Sequence, residues 1–207
     1  MDASTVPNVT RADSYAQGTS ATPLLGETIS QNLRRTVQAF GSRDALIVRH
    51  QGYQATYAEF WQQVQECARG LIALGIPKGD RVGMWSPNRY EWVIVQYATA
   101  EIGAILVNIN PAYRASELEY ALNQSGCRTV IHSRGFRKSN YTEMLAEIRS
   151  RCPALERTIE LESSWRELLD GGTENRQATH RGVVACEASA ATSRASDVTA
   201  CGFTWAF

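Results

Sequence analysis

Lysine is nearly absent from this 207-residue chain: only Lys78 and Lys138 are present among twenty-one basic side chains. Neither follows a Gly/Ser/Thr-rich run, and no G-x-x-x-x-G-K-[ST] occurs, so no phosphate-cradling loop with its lysine is present. Net charge is missing too, since twenty-one acidic residues cancel the basic ones. That balance, with no basic stripe between aromatics, excludes nucleic acid and anionic membrane as partners. The five cysteines, at 67, 127, 152, 186 and 201, never form C-x-x-C. An odd count without ligand spacing points to reduced thiols in a cytoplasmic setting, with no disulfide frame or zinc site. The first twenty residues carry Asp2, Arg11 and Asp13 and no apolar core, which argues against a secretory signal. The longest apolar stretch, Trp92 to Ile109, is interrupted by Gln96, Thr99, Glu101, Gly103 and Asn108. It reads as a helix ending and a strand beginning, and no membrane span is expected. No G-x-G-x-x-G follows a strand, so a dinucleotide-binding unit is disfavoured.

What is present falls into three zones. Residues 1–22 are polar, without periodicity, and read as a flexible leader. Residues 23–172 alternate helical and strand patterns. ETISQNLRRTVQAF puts Ile29, Leu33, Val37 and Phe40 on one helical face; ALIV and YQATY, parted by Gln51-Gly52, read as a hairpin. Thr56 and Glu59 form a capping box for a helix that Gly75 and Pro77 end. RVGMW is a strand, and Asn88 with Glu91 is expected to cap the next helix. AILVNI and RTVIH are buried-type strands, with a helix between them opened by Ser116 and Glu119. YTEMLAEIRSRC is a helix stopped by Pro153, RTIEL a strand, and Ser164 with Glu167 the cap of a short helix WRELLD. Short strands apolar on both faces, alternating with helices, give an α/β class with a mostly parallel sheet flanked by helices. Residues 173–207 contain no Leu, Ile, Met, Lys, Pro or Tyr, and such a segment buries too little to order itself.

Three features recur in order between residues 74 and 131: the turn GIPKGDRV, a helix opened by PN-x-x-E-W, and the strand-to-loop NINPAYR before an acidic helix. With TYAEFWQQVQECARGL upstream, and FRKSNYTEML and SSWRELLDGG downstream, residues 23–172 resemble the N-terminal part of the large adenylation domain of AMP-forming acyl-CoA synthetases. The downstream pieces resemble the fatty-acyl branch more than the acetyl branch. The resemblance implies a ligase that joins a fatty acid or other carboxylic acid to CoA through an acyl-adenylate, using ATP, Mg²⁺ and CoA. It also implies motifs that are missing here: a Ser/Thr/Gly loop ending in Pro-Lys-Gly, a Tyr-Gly-x-Thr-Glu segment, and later Asp, Arg and Lys residues. Two anions must meet when a carboxylate attacks the α-phosphate, so the absence of those donors and cations is severe. The expectation is an incomplete domain, inactive alone, that binds none of these cofactors, with a non-catalytic α/β module docking on a partner subunit as the alternative. The break at Gly172 is read as a truncation or an out-of-frame tail.

Individual residues carry modest expectations. Lys78-Gly79-Asp80 is a turn, and Trp85, Trp92 and Tyr97 are core. Asn110-Pro111 ends a strand where an α/β sheet presents its ligand edge, the acyl side of a cleft on the functional reading. Arg134, Arg137 and Lys138 form a small basic cluster, either a solvated loop or a place where CoA phosphates are met. His50 and His132 have no nucleophile or carboxylate at informative spacing, and Glu117 and Glu119 are an acidic helix start. No catalytic or metal-ligating residue is assigned, and cofactor-binding residues are left unassigned.

Overall fold

The structure, a computed structural model, describes residues 25–174. Its centre is a four-stranded parallel sheet made of β3 (Arg81–Trp85), β4 (Ile105–Asn108), β5 (Thr129–His132) and β8 (Arg157–Glu160), in the order β4-β3-β5-β8. Registers run Arg81 with Ile105, Val82 with Thr129, and Thr129 with Arg157. Side chains alternate faces along each strand. Val82, Met84, Ile131 and Ile159 therefore join one core, while Trp85 and Val130 join the other.

Four helices cover the first face: α1 (Ile29–Phe40), α2 (Tyr57–Ala73), α3 (Tyr90–Ile102) and α6 (Leu161–Glu174). Two cover the second: α4 (Ala115–Ser125) and α5 (Tyr141–Ile148). An antiparallel hairpin, β1 (Asp44–Val48) with β2 (Tyr53–Thr56), leads into α2. A second small hairpin, β6 (Gly135–Phe136) with β7 (Ser139–Asn140), leads into α5.

Local chemistry sets these boundaries. The Thr56 hydroxyl accepts from the Glu59 amide at 3.3 Å, and the Glu59 carboxylate accepts from the Thr56 amide at 2.8 Å. Both orphan donors are thereby satisfied, as the capping-box expectation held. Thr28 and Gln31 form a second capping box on α1. At the helix end, Gly103 adopts φ +71 and lets the chain turn from α3 into β4. Gly70 has another role. A Cβ there would lie 2.0 Å from the Leu168 carbonyl oxygen, so glycine is what allows α6 to approach α2 this closely.

Several expectations need correction. Asn88 does not cap α3: the N-cap residue is Arg89, without a side-chain cap bond, and Gln51 accepts from the Tyr90 amide at 2.8 Å instead. Ser116 and Glu119 do not open α4. Arg114 stands at its N-cap, and its amide donates to Glu117 at 2.8 Å. Ser164 lies inside α6, which begins at Leu161 directly after β8. In each case a plausible local cap lost to the sheet, whose strand ends fix where the next helix starts. Phe40 is 43% exposed, so it lies outside the core that Leu33 joins. The leader and nearly all of the atypical tail, residues 1–24 and 175–207, lie outside the described residues.

Candidate functional site: the carboxyl edge of the parallel sheet

Parallel sheets present ligands beyond the carboxyl ends of their strands. Here β3, β4, β5 and β8 deliver Ser86-Pro87, Asn108 to Pro111, His132-Ser133 and Glu160 to that edge. The β4 loop is pinned by two aromatic donors. The Trp85 indole donates to the Asn110 carbonyl at 3.1 Å, and the Tyr141 hydroxyl donates to the Pro111 carbonyl at 2.5 Å. The two rings stack with centroids 3.6 Å apart and planes 9° from parallel, both fully buried. Asn110 turns its side chain back on the loop, accepting from the Ala112 amide at 2.9 Å. Burial pushes the Tyr141 hydroxyl up to about 12, so it stays a donor through the neutral range. The loop is therefore held rigidly, and Asn110-Pro111 sits at the strand end as expected.

A polar network lies beside it. Arg89 donates to Glu91 at 2.8 Å and is hydrogen-bonded and ion-paired to Glu162, which also accepts from the Arg134 amide at 2.7 Å. Gln51 donates to Glu91 at 2.9 Å. Arg134 donates to Glu160 at 3.0 Å, and the Thr142 hydroxyl donates to the same carboxylate at 2.8 Å. Burial works against the Glu91 carboxylate, but the bonds from Arg89 and Gln51 outweigh it and hold it below the usual range. Thr142, and after it Arg134, likewise hold Glu160 low against its partial burial.

His132 is 2% exposed, and burial lowers its pKa so that the ring is neutral. Its Nδ1 lies 2.8 Å from the Ser133 carbonyl, an acceptor, which assigns the proton to Nδ1. His50 stands in the turn between β1 and β2. Glu117 is used by the α4 cap, and Glu119 pairs with Arg151 at 2.7 Å, so the two act separately. Trp85 is core, and Trp92 and Tyr97 pack partly buried against the first core. The basic cluster divides. Arg134 is paired with Glu160, while Arg137 lies over Phe136 at 5.1 Å in the turn of the β6–β7 hairpin, at φ +55.

Cys67, Cys127 and Cys152 are buried free thiols, and burial raises all three, Cys127 to about 11. They are poor nucleophiles at neutral pH. Among the described residues no group of three or more His, Cys, Asp or Glu is placed to hold a metal ion. The donor set does not fit a nucleotide triphosphate either. Arg89 and Arg134 are spent on Glu91, Glu162 and Glu160, and the edge lacks the free cations such a group needs. Sequence reasoning missed Gln51, Arg89, Gly70 and Tyr141, because their partners lie far away along the chain.

Comparisons with known proteins agree with this architecture. The family pattern of the AMP-binding enzymes matches residues 33–203. A mitochondrial medium-chain acyl-CoA ligase, ACSF2, of Danio rerio is 42% identical over 151 residues, 73% of this chain and 24% of that protein. Its human counterpart is 43% identical over 143 residues, 69% of this chain and 23% of that protein. The chain thus spans about a quarter of the length of the curated relatives it matches. Among solved structures, the N-terminal domain of FACL13 from Mycobacterium tuberculosis superposes with a TM-score of 0.63 at 28% identity, covering 70% of this chain and 36% of that one. A long-chain-fatty-acid-CoA ligase from Archaeoglobus fulgidus, at 23% identity and a TM-score of 0.67, shares the fold over 78% of this chain and 33% of its own. The ordered signatures, the parallel sheet and these matches place the chain in the family of AMP-binding enzymes, as a part of an acyl-CoA ligase.

Proposed function

We propose that these residues form the front wall of the adenylate-forming domain of a medium- or long-chain fatty-acyl-CoA ligase, and that the 207 residues do not activate a fatty acid by themselves. The reading is carried by one observation: the guanidiniums at the sheet's carboxyl edge are neutralised by carboxylates, and no Gly/Ser/Thr-rich loop with a lysine stands beside them. Positioning the acid and ATP for in-line attack needs pre-organised donors, so ATP, Mg²⁺ and CoA are assigned to the whole enzyme. In that enzyme the pinned Asn110-Pro111 loop lines the acyl side of the cleft. ATP–pyrophosphate exchange with octanoate and palmitate on the purified chain is expected at background. Robust exchange refutes the proposal.

Residues 173–207 form an atypical tail, proposed as out-of-frame. The family match running to residue 203 favours the competing view, a divergent natural tail. Sequencing the DNA decides between them: an alternative frame past codon 172 must encode a Thr/Ser/Gly-rich loop with Pro-Lys-Gly. The buried reduced cysteines suit a reducing compartment, cytoplasmic on the sequence reading, while the animal relatives are mitochondrial by name. No described helix is long and apolar enough to cross a membrane. The open edge of β4 favours a second reading, a module that docks on a partner.

A further inference from the structure

The two edges of the parallel sheet are built differently. Strand β8 carries Arg157 and Glu160, charges of the kind that guard an edge against strand addition. Strand β4 reads Ile-Leu-Val-Asn, with no charge and no proline, and all four residues are part-buried. Leu106 packs into the first core and Val107 into the second, so both faces of β4 are covered. Its outer backbone is not: among the described residues β4 pairs with β3 alone.

The direction of the exposed groups follows from the ladder. The Ile105 amide donates to Asp80 at 2.7 Å and the Ile109 amide donates to Met84 at 3.0 Å, both on the β3 side. Alternate residues of a strand face opposite neighbours, so the N–H and C=O groups of Leu106 and Asn108 point to the open edge. Asn108 adds a side-chain oxygen, Oδ1, that is buried without a hydrogen-bond partner.

We propose that β4 is the site of strand addition, and that its occupant is the downstream part of an acyl-CoA ligase adenylation domain, which extends this sheet past β4. This rests on the reading of the chain as the front of that domain. The choice of occupant comes from length. The chain matches 36% of the FACL13 N-terminal domain with the same fold, so nearly two thirds of that unit must pack onto the counterpart of this portion. An uncharged edge with both faces already covered can accept a strand from it by backbone pairing alone.

The test mixes the full chain with the downstream part of the FACL13 N-terminal domain, from the residue after its counterpart of α6 to its end. A one-to-one complex is expected by size exclusion with light scattering. Hydrogen exchange at the Leu106 and Asn108 amides should slow by about tenfold, the scale of a backbone hydrogen bond gained. Asn108→Pro removes only the outward-facing N–H, and Asn108→Ala keeps it; the first should weaken the complex by about tenfold relative to the second. Equal urea midpoints for the two variants check that both are folded, and the wild-type exchange result stands without either.

A complex with no added protection at these two amides overturns the proposal while leaving partner docking intact. No complex at all overturns both. Protection that rises with the concentration of this chain alone makes a second copy the occupant and overturns the assignment made here. Background pyrophosphate exchange by the chain alone is independent of all three results.

Discussion

Replacing Gly70 by alanine tests how α6 is held. The new Cβ would lie 2.0 Å from the Leu168 carbonyl oxygen and 3.0 Å from both its carbonyl carbon and Cδ1, where ordinary contact begins at 3.4 Å. The first obstacle is backbone, so no rotamer change relieves it, and α6 must retreat by roughly 1.4 Å, most of the depth of a dispersion well. Overpacking of this kind costs about 1–3 kcal/mol, and here the upper end applies because a whole helix moves. Alanine returns up to about 1 kcal/mol through helix propensity in α2. Expelling α6 would instead expose Leu161, Trp165 and Leu168, all buried, at about 1.5–3 kcal/mol each, so retreat is the cheaper response. The net expectation is a loss of about 2 kcal/mol and a fall in Tm of roughly 4–8 °C. Urea unfolding followed by tryptophan fluorescence, with hydrogen exchange over α6, measures it. Gly171→Ala is the matched control: its Cβ meets nothing within 4 Å, it sits inside the same helix, and a gain of up to about 1 kcal/mol is expected. If Gly70→Ala is as stable as the parent, or more so, the close approach of α2 and α6 is wrong.

Removing Arg89 with Arg89→Met leaves Glu91, 3% exposed, with Gln51 alone, and a loss of about 3 kcal/mol at pH 7 is expected from urea melts. Glu91 is held below the usual carboxylate range, so its contribution is present above the unfolded pKa and lost as pH falls through the folded one. The melts of variant and parent should therefore converge in acid, and a gap that persists at pH 2 counts against the network. Gln51→Ala removes the cap on α3 and should cost about 1 kcal/mol, with faster exchange confined to the first turn around Tyr90. Tyr141 is raised to about 12, so its stabilisation is complete below pH 10 and declines between about pH 10 and 12. Tyr141→Phe should flatten that alkaline slope and cost about 1–2 kcal/mol at neutral pH through the unpaired Pro111 carbonyl. An unchanged slope refutes the assignment.

The elements that were legible beforehand share a short range. The Thr56–Glu59 box spans three residues, the β1–β2 hairpin turns on Gln51-Gly52, and RVGMW, AILVNI and RTVIH are strands because their apolar side chains meet two covered faces. The caps that were misread share the opposite property. Asn88 is a sound local cap for α3, yet Gln51 from a turn thirty-nine residues earlier takes the position, because the hairpin lies against the start of that helix. Arg134 reads as a free cation in sequence and is paired to Glu160 twenty-six residues away.

The sequence by itself determined the class of fold, the run of family signatures and the missing phosphate loop, since periodicity, turn chemistry and motif spacing are written within a few residues of one another. Only the tertiary structure decided that Trp85 and Tyr141 pin the Asn110-Pro111 loop, that Gly70 admits α6, and that β4 rather than β8 is the open edge. Those depend on which strands become neighbours, and strand order is set by how helices fill the two faces of the sheet, a property that no local stretch of chain carries.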